Sequence, residues 1–155
     1  MKRVSALGLD VGKKRIGVAG CDGTGLIATG LTTINCTSWT EDVQQLKNII
    51  EEREVNILVI GLPYNLDGTI GFQAQKVKKF ANRISRILDI PIEYVDERLT
   101  SVEAESQLKI QKKFSTRNKG AIDRRAAAII LQQWLDMRRV KNIKDEDKKI
   151  RESNS

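Results

Sequence analysis

The residues of this chain that could do chemistry are acids placed at the ends of apolar segments. Asp10 closes the run from Val4 to Leu9, and Asp96 and Glu97 follow the run from Pro91 to Val95. Asp123 stands at helical spacing in line with Ala127, Ile130 and Trp134, an apolar face on which a charge is unusual. The carboxyl ends of strands are where α/β sheets place ligands. If these acids meet, pairs about 4–5 Å apart repel by about 3–4 kcal/mol at an effective dielectric near 20, and the group requires a cation. Two divalent ions roughly 3.5–4 Å apart could then activate a water and stabilise a leaving oxygen, which is the two-metal route to phosphodiester cleavage. The sequence has no histidine. That removes the commonest general base and leaves too few soft ligands for an ordinary zinc site, so the metal expected on oxygen ligands is Mg²⁺ or Mn²⁺.

Each acid also has a structural explanation. Asp10 can cap the turn at Val11-Gly12, and Asp96 and Glu97 can be charges in a strand-to-helix loop with Arg98 as local partner. Side chains alternate along a strand, so only one of Asp96 and Glu97 easily reaches the face that Asp10 uses, and both remain candidates. Asp123 can be favoured by the dipole of a first helical turn. Glu103 completes a capping box with Thr100 and is read as structural.

Positive charge surrounds the acids. The balance of 27 Lys and Arg against 20 Asp and Glu gives a net +7. Lys109, Lys112, Lys113, Arg117, Lys119, Arg124 and Arg125 crowd around the single acid Asp123, and Lys13-Lys14-Arg15 follows Asp10. Concentrated positive charge suits a polyanion such as nucleic acid, although a solvated surface gives the same composition. Lys13, Lys14, Arg15, Arg98, Arg117, Lys119 and Arg124 are the candidate phosphate contacts. The loop Gly61-Leu62-Pro63-Tyr64-Asn65-Leu66-Asp67-Gly68 could bring its backbone and Asn65 close to a sugar-phosphate chain, with Tyr64 stacking on a base or simply packing in the core.

These residues need a scaffold, and the pattern supplies one. Val4–Asp10 and Arg15–Gly20 read as a hairpin, and Gly25–Ile34 as a third strand. A capping box at Ser38–Glu41 opens a helix to about Arg53, and Val55–Ile60 is a buried strand. Val77 to Leu88 marks a second amphipathic helix, Pro91–Val95 a fifth strand, Thr100 to about Lys112 a third helix, and Ala121 to about Arg139 a fourth. The order β-β-β-α-β-α-β-α-α predicts an α/β fold of the ribonuclease H layout. It has a mixed five-stranded sheet, an antiparallel meander joined to parallel strands, and helices on both faces. One domain is expected over residues 1–139, followed by a charged, frayed tail over 140–155 with five basic and four acidic residues. Cys21 and Cys36 are too few for a disulfide framework, and no apolar run approaches the roughly 20 residues that span a bilayer. A cytoplasmic protein that does not engage membranes is expected.

The motifs taken in order resemble the YqgF/RuvX family. They are Gly8-Leu9-Asp10-Val11-Gly12 with Arg15-Ile16-Gly17-Val18-Ala19, and Gly61-Leu62-Pro63 with Asp67-Gly68. They continue with Asp96-Glu97-Arg98-Leu99-Thr100 through Glu103-Ala104, and Asn118-Lys119-Gly120-Ala121-Ile122-Asp123 through Ile129-Ile130-Leu131. The resemblance implies an RNase H-like fold and metal-dependent nuclease chemistry at Asp10, at Asp96 or Glu97, and at Asp123. It also implies maturation of the 5′ end of 16S ribosomal RNA, with precursor ribosomal RNA and pre-30S particles as partners. A Holliday junction resolvase has the same site but needs two symmetric cuts and hence a dimer, so monomer and homodimer both stay open. A non-catalytic nucleic-acid- or ribosome-binding assembly factor is a further alternative. An actin-like phosphate loop at Gly8–Gly12 would need a second such domain.

Overall fold

The computed structural model describes residues 3–99 and 119–154. The chain enters through two strands, β1 (Ala6–Val11) and β2 (Arg15–Cys21), whose hairpin is closed by a Gly12 N–H donating to the Arg15 carbonyl at 2.9 Å. β3 (Ala28–Asn35) continues the antiparallel meander. α1 (Trp39–Arg53) begins at Ser38, whose hydroxyl accepts the Glu41 N–H at 3.2 Å. The Glu41 carboxylate accepts instead from the Thr37 hydroxyl at 2.5 Å, so only half of the expected capping box forms. Then come β4 (Ile57–Leu62), α2 (Phe72–Leu88), β5 (Ile92–Asp96), a 3₁₀ turn at Glu97–Leu99 and the long helix α3 (Lys119–Ser153).

The strands form one sheet in the order β3-β2-β1-β4-β5, with β1, β4 and β5 parallel and β2 and β3 antiparallel to their neighbours. Alternation sorts the side chains onto two faces. Leu7, Leu9, Ile16, Val18, Leu58, Ile60 and Leu62 face α1 and α2, meeting Leu46, Val77, Ala81 and Ile84. Ala6, Ala19, Cys21, Val59 and Val95 face α3, meeting Ala127, Ala128, Ile130, Leu131 and Leu135. Each large aliphatic side chain so buried contributes about 1.5–3 kcal/mol. Both faces of the sheet are therefore closed by helices, and its parallel strands end together at one edge.

α3 lies unusually close to the sheet because glycines leave room beneath it. A Cβ on Gly8 would stand 2.7 Å from the Leu131 Cβ, one on Gly61 2.5 Å from the Ile130 Cδ1, and one on Gly17 would overlap the Asp123 carbonyl.

The strands begin two or three residues later than the sequence pattern predicts at β1, β3 and β4, and two helix boundaries differ by more. α2 begins at Phe72 rather than near Val77: Ala74 is buried one turn ahead of Val77, but a small alanine between two glutamines marks the apolar period only weakly, and Phe72 itself is exposed. α3 runs to Ser153, where the sequence pattern predicts a frayed tail beyond Arg139. Residues 140–154 are exposed, but the stretch contains neither glycine nor proline and is rich in Lys, Arg and Glu, which propagate a helix already nucleated upstream. The helix expected from Thr100 to Lys112 and the basic stretch through Arg117 lie outside the described residues. Cys21 and Cys36 are free thiols, and no described helix is long and apolar enough to cross a membrane.

Candidate active site

Asp10 faces α3 because Ala6 and Gly8, four and two residues before it on β1, face α3. On β5 the same face is taken by Glu93, whose carboxylate accepts the Trp134 indole N–H, and by Val95 in the α3 core. Two residues further on, Glu97 arrives on the Asp10 side and the two carboxyl groups share a hydrogen bond. Asp96 falls on the opposite side. It accepts the Arg98 backbone N–H at 2.9 Å, Nε at 3.1 Å and Nη2 at 2.7 Å, and these bonds hold its carboxyl below the usual range. Of the two candidates at this corner, the structure brings Glu97 to Asp10 and leaves Asp96 paired with Arg98.

Asp123 reaches the site through the glycine gap. Gly17 is the cross-strand partner of Asp10, and the backbone of Asp123 rests directly on Gly17. Its carboxylate accepts the Arg15 Nε–H at 2.6 Å, an ion pair in which the Arg15 and Asp123 side chains are 32% and 19% exposed. Its charge is felt at Asp10. Burial first, then the Asp123 charge, push the Asp10 carboxyl up to about 6. Burial first, then Asp10 itself, push Glu97 up to about 7. Near neutrality the pair therefore holds a proton between its oxygens, where a cation would relieve the same repulsion.

The remaining candidates spread around this centre. Lys13 and Lys14 are exposed at the hairpin tip, and Lys119 is exposed at the start of α3. Arg124 is half-buried, with Nη1 3.4 Å from the Thr33 hydroxyl. Tyr64 packs against the core with the Arg98 guanidinium 5.3 Å from its ring centre. Asn65 braces its own loop, donating to the Thr69 hydroxyl at 3.0 Å. Two features are missed by the sequence pattern. One is the Arg15–Asp123 pair, across 108 positions. The other is Phe72, which is 73% exposed with the Lys76 ammonium 4.4 Å above its ring; a lone aromatic next to a loop gives no periodic signal.

As a metal site the group is incomplete. Among the described residues, no three acidic or thiol side chains are gathered to hold an ion. Asp10 and Glu97 do fit a hard divalent ion: two oxygen ligands, partly buried, with an electrostatic conflict that such an ion resolves.

A mixed sheet of this order, helices on both faces and acids at the edge where its parallel strands end are the marks of an RNase H-like fold. The fold of T. thermophilus RuvC, solved in complex with a Holliday junction substrate, is alike at a TM-score of 0.54 and 9% identity, covering 87% of this chain and 96% of that one. The sequence profile of the family described as "RuvX: Holliday junction resolvase" matches residues 4–137, and the chain belongs to that family. Over 139 residues it is 73% identical to a protein of Crocosphaera subtropica named "Putative pre-16S rRNA nuclease", covering 90% of this chain and 97% of the relative. A protein of the same name from Synechocystis is 64% identical over 138 residues, 89% of this chain and 91% of that one. By class the chain is a nuclease, a hydrolase acting on ester bonds.

Proposed function

We propose that the chain is a metal-dependent endonuclease that processes the 5′ end of precursor 16S ribosomal RNA in the cytoplasm. The observation that carries this reading is the meeting of Asp10 and Glu97 at the ends of β1 and β5, two hydrogen-bonded carboxyl groups, the first raised by burial and the Asp123 charge and the second by burial and Asp10 itself. The names of the relatives point to the RNA, and pre-30S particles are the setting in which that RNA is found. Mg²⁺ or Mn²⁺ bound there would supply Lewis acidity and a water activated for attack on phosphorus. Asp10 and Glu97 would hold the ion once their shared proton has left. Lys13, Lys14 and Lys119 attract the phosphates, and the exposed Phe72 offers a ring face to an unpaired base.

The test is cleavage of a labelled precursor 16S 5′ segment with and without Mn²⁺. Asp10→Asn and Glu97→Gln abolish cutting while circular dichroism stays native, and Asp96→Asn cuts within a few-fold of wild type because Asp96 serves Arg98. Full activity in Asp10→Asn or Glu97→Gln would refute the assignment. The description of the family profile favours a second reading, resolution of a four-way DNA junction. It predicts a homodimer and paired symmetric cuts, and the same assay run on a DNA junction measures them.

A further inference from the structure

We infer that Arg15 occupies, in the free protein, the place of a second divalent ion, so that one ion binds alone until a nucleic-acid phosphate draws the guanidinium off Asp123. The inference rests on the metal-nuclease reading and adds an order of events to it. Arg15 Nε stands 2.6 Å from Asp123 Oδ2, close enough that no ion can share that oxygen without meeting the guanidinium. Asp10 and Glu97 are joined to each other by their own hydrogen bond, so the three acids are divided into a pair and a third whose ion-pair partner is Arg15. That division agrees with the lack of any three-ligand group among the described residues.

The pair is also built to be opened. With 32% and 19% of the two side chains exposed, solvent and an incoming anion reach it, so it is not locked as a fully buried ion pair would be. A guanidinium matches phosphate as well as carboxylate, through two parallel N–H···O bonds. Arg15 begins β2 directly after the exposed Lys13 and Lys14, so a phosphate attracted to that hairpin tip arrives next to its competitor. Moving Arg15 to the phosphate neutralises the substrate and uncovers Asp123 in one step. The second ion then binds only where there is something to cut.

Mn²⁺ titration of the full chain without nucleic acid, read by calorimetry and by the electron paramagnetic resonance of free Mn²⁺, tests this independently of activity. The expected result is one ion per wild-type chain, two per Arg15→Gln chain, one per Arg15→Lys chain, and two per wild-type chain with a phosphorothioate RNA oligonucleotide added, its intactness checked on a gel and the Mn²⁺ bound by the oligonucleotide alone subtracted. If Arg15→Gln does not fold, the oligonucleotide arm decides alone. Two ions on the free wild type, or one on both the folded Arg15→Gln variant and the oligonucleotide complex, would overturn the inference while leaving the metal site intact. No ion on any of them would overturn the metal-nuclease reading as well.

Discussion

Between Asp10 and Glu97 a proton holds together what ionisation would push apart, and this has a measurable cost. Both carboxyls titrate higher in the folded chain than their ordinary 3.8 and 4.5, near 6 and 7. A raised folded value means that the contribution to stability is complete below about pH 4 and is lost as pH rises through about 6 to 7. In metal-free buffer, urea unfolding should therefore show stability falling from about pH 4 to about pH 7, with no further loss from this pair above that. At the upper end Asp10→Asn should be more stable than wild type by about 1–3 kcal/mol. A flat wild-type profile would contradict this. Divalent ions should reverse the trend, since they replace the proton.

The sequence makes Asp10 and Asp123 visible, one as an acid ending an apolar strand and the other as an acid on an apolar helix face. It leaves Asp96 and Glu97 equal because Tyr94 and Val95 are both apolar, so nothing in β5 says which face is which. The face is fixed by packing: Val95 lies in the α3 core and Glu93 is bonded to Trp134. Arg15 reads, with Lys13 and Lys14, as a phosphate contact. Its partner stands 108 residues away, and no local pattern carries that information.

At the scale of elements, the site depends on how closely α3 can lie on β1, β2 and β4. Gly8→Ala would drive a methyl against the Leu131 Cβ and the Ala127 carbonyl, 2.7 and 2.9 Å away. It should lower urea stability by about 1–3 kcal/mol, as overpacking elsewhere does. Gly17→Ala is worse placed, because the obstacle is the backbone of Asp123 itself. It should lift the start of α3 from the sheet and abolish Mn²⁺-dependent cutting even where circular dichroism remains helical. Retained cutting would show that Asp123 does not need its seat on Gly17. The periods of two and 3.6 residues make the strands and helices legible. The close approach is signalled only by glycines at alternate positions on the face of Asp10, Gly8 before it and Gly17 across from it. The end of α3 escapes the sequence pattern because exposed polar turns carry no apolar period, yet continue a helix once packing elsewhere has nucleated it.

At the scale of the whole molecule, net charge and its placement govern encounter with the substrate. With +7 overall and Lys13, Lys14 and Lys119 exposed near the acids, binding of single-stranded RNA should weaken steadily as salt rises. Replacing Lys13 and Lys14 together by Gln should reduce the slope of log affinity against log salt by roughly 1–1.5, at about 0.7 for each phosphate no longer neutralised, as measured by fluorescence anisotropy. An unchanged slope would remove the hairpin tip from the path of the nucleic acid. α3 adds a property of a different kind. Its 35 residues make a rod about 52 Å long, whereas a compact chain of 155 residues has a radius of gyration of about 15 Å. The molecule is thus a ball with a spar. It should tumble anisotropically and scatter X-rays with an extended tail in its pair-distance distribution, and the spar's inner end is the one that carries Asp123 to the other carboxylates.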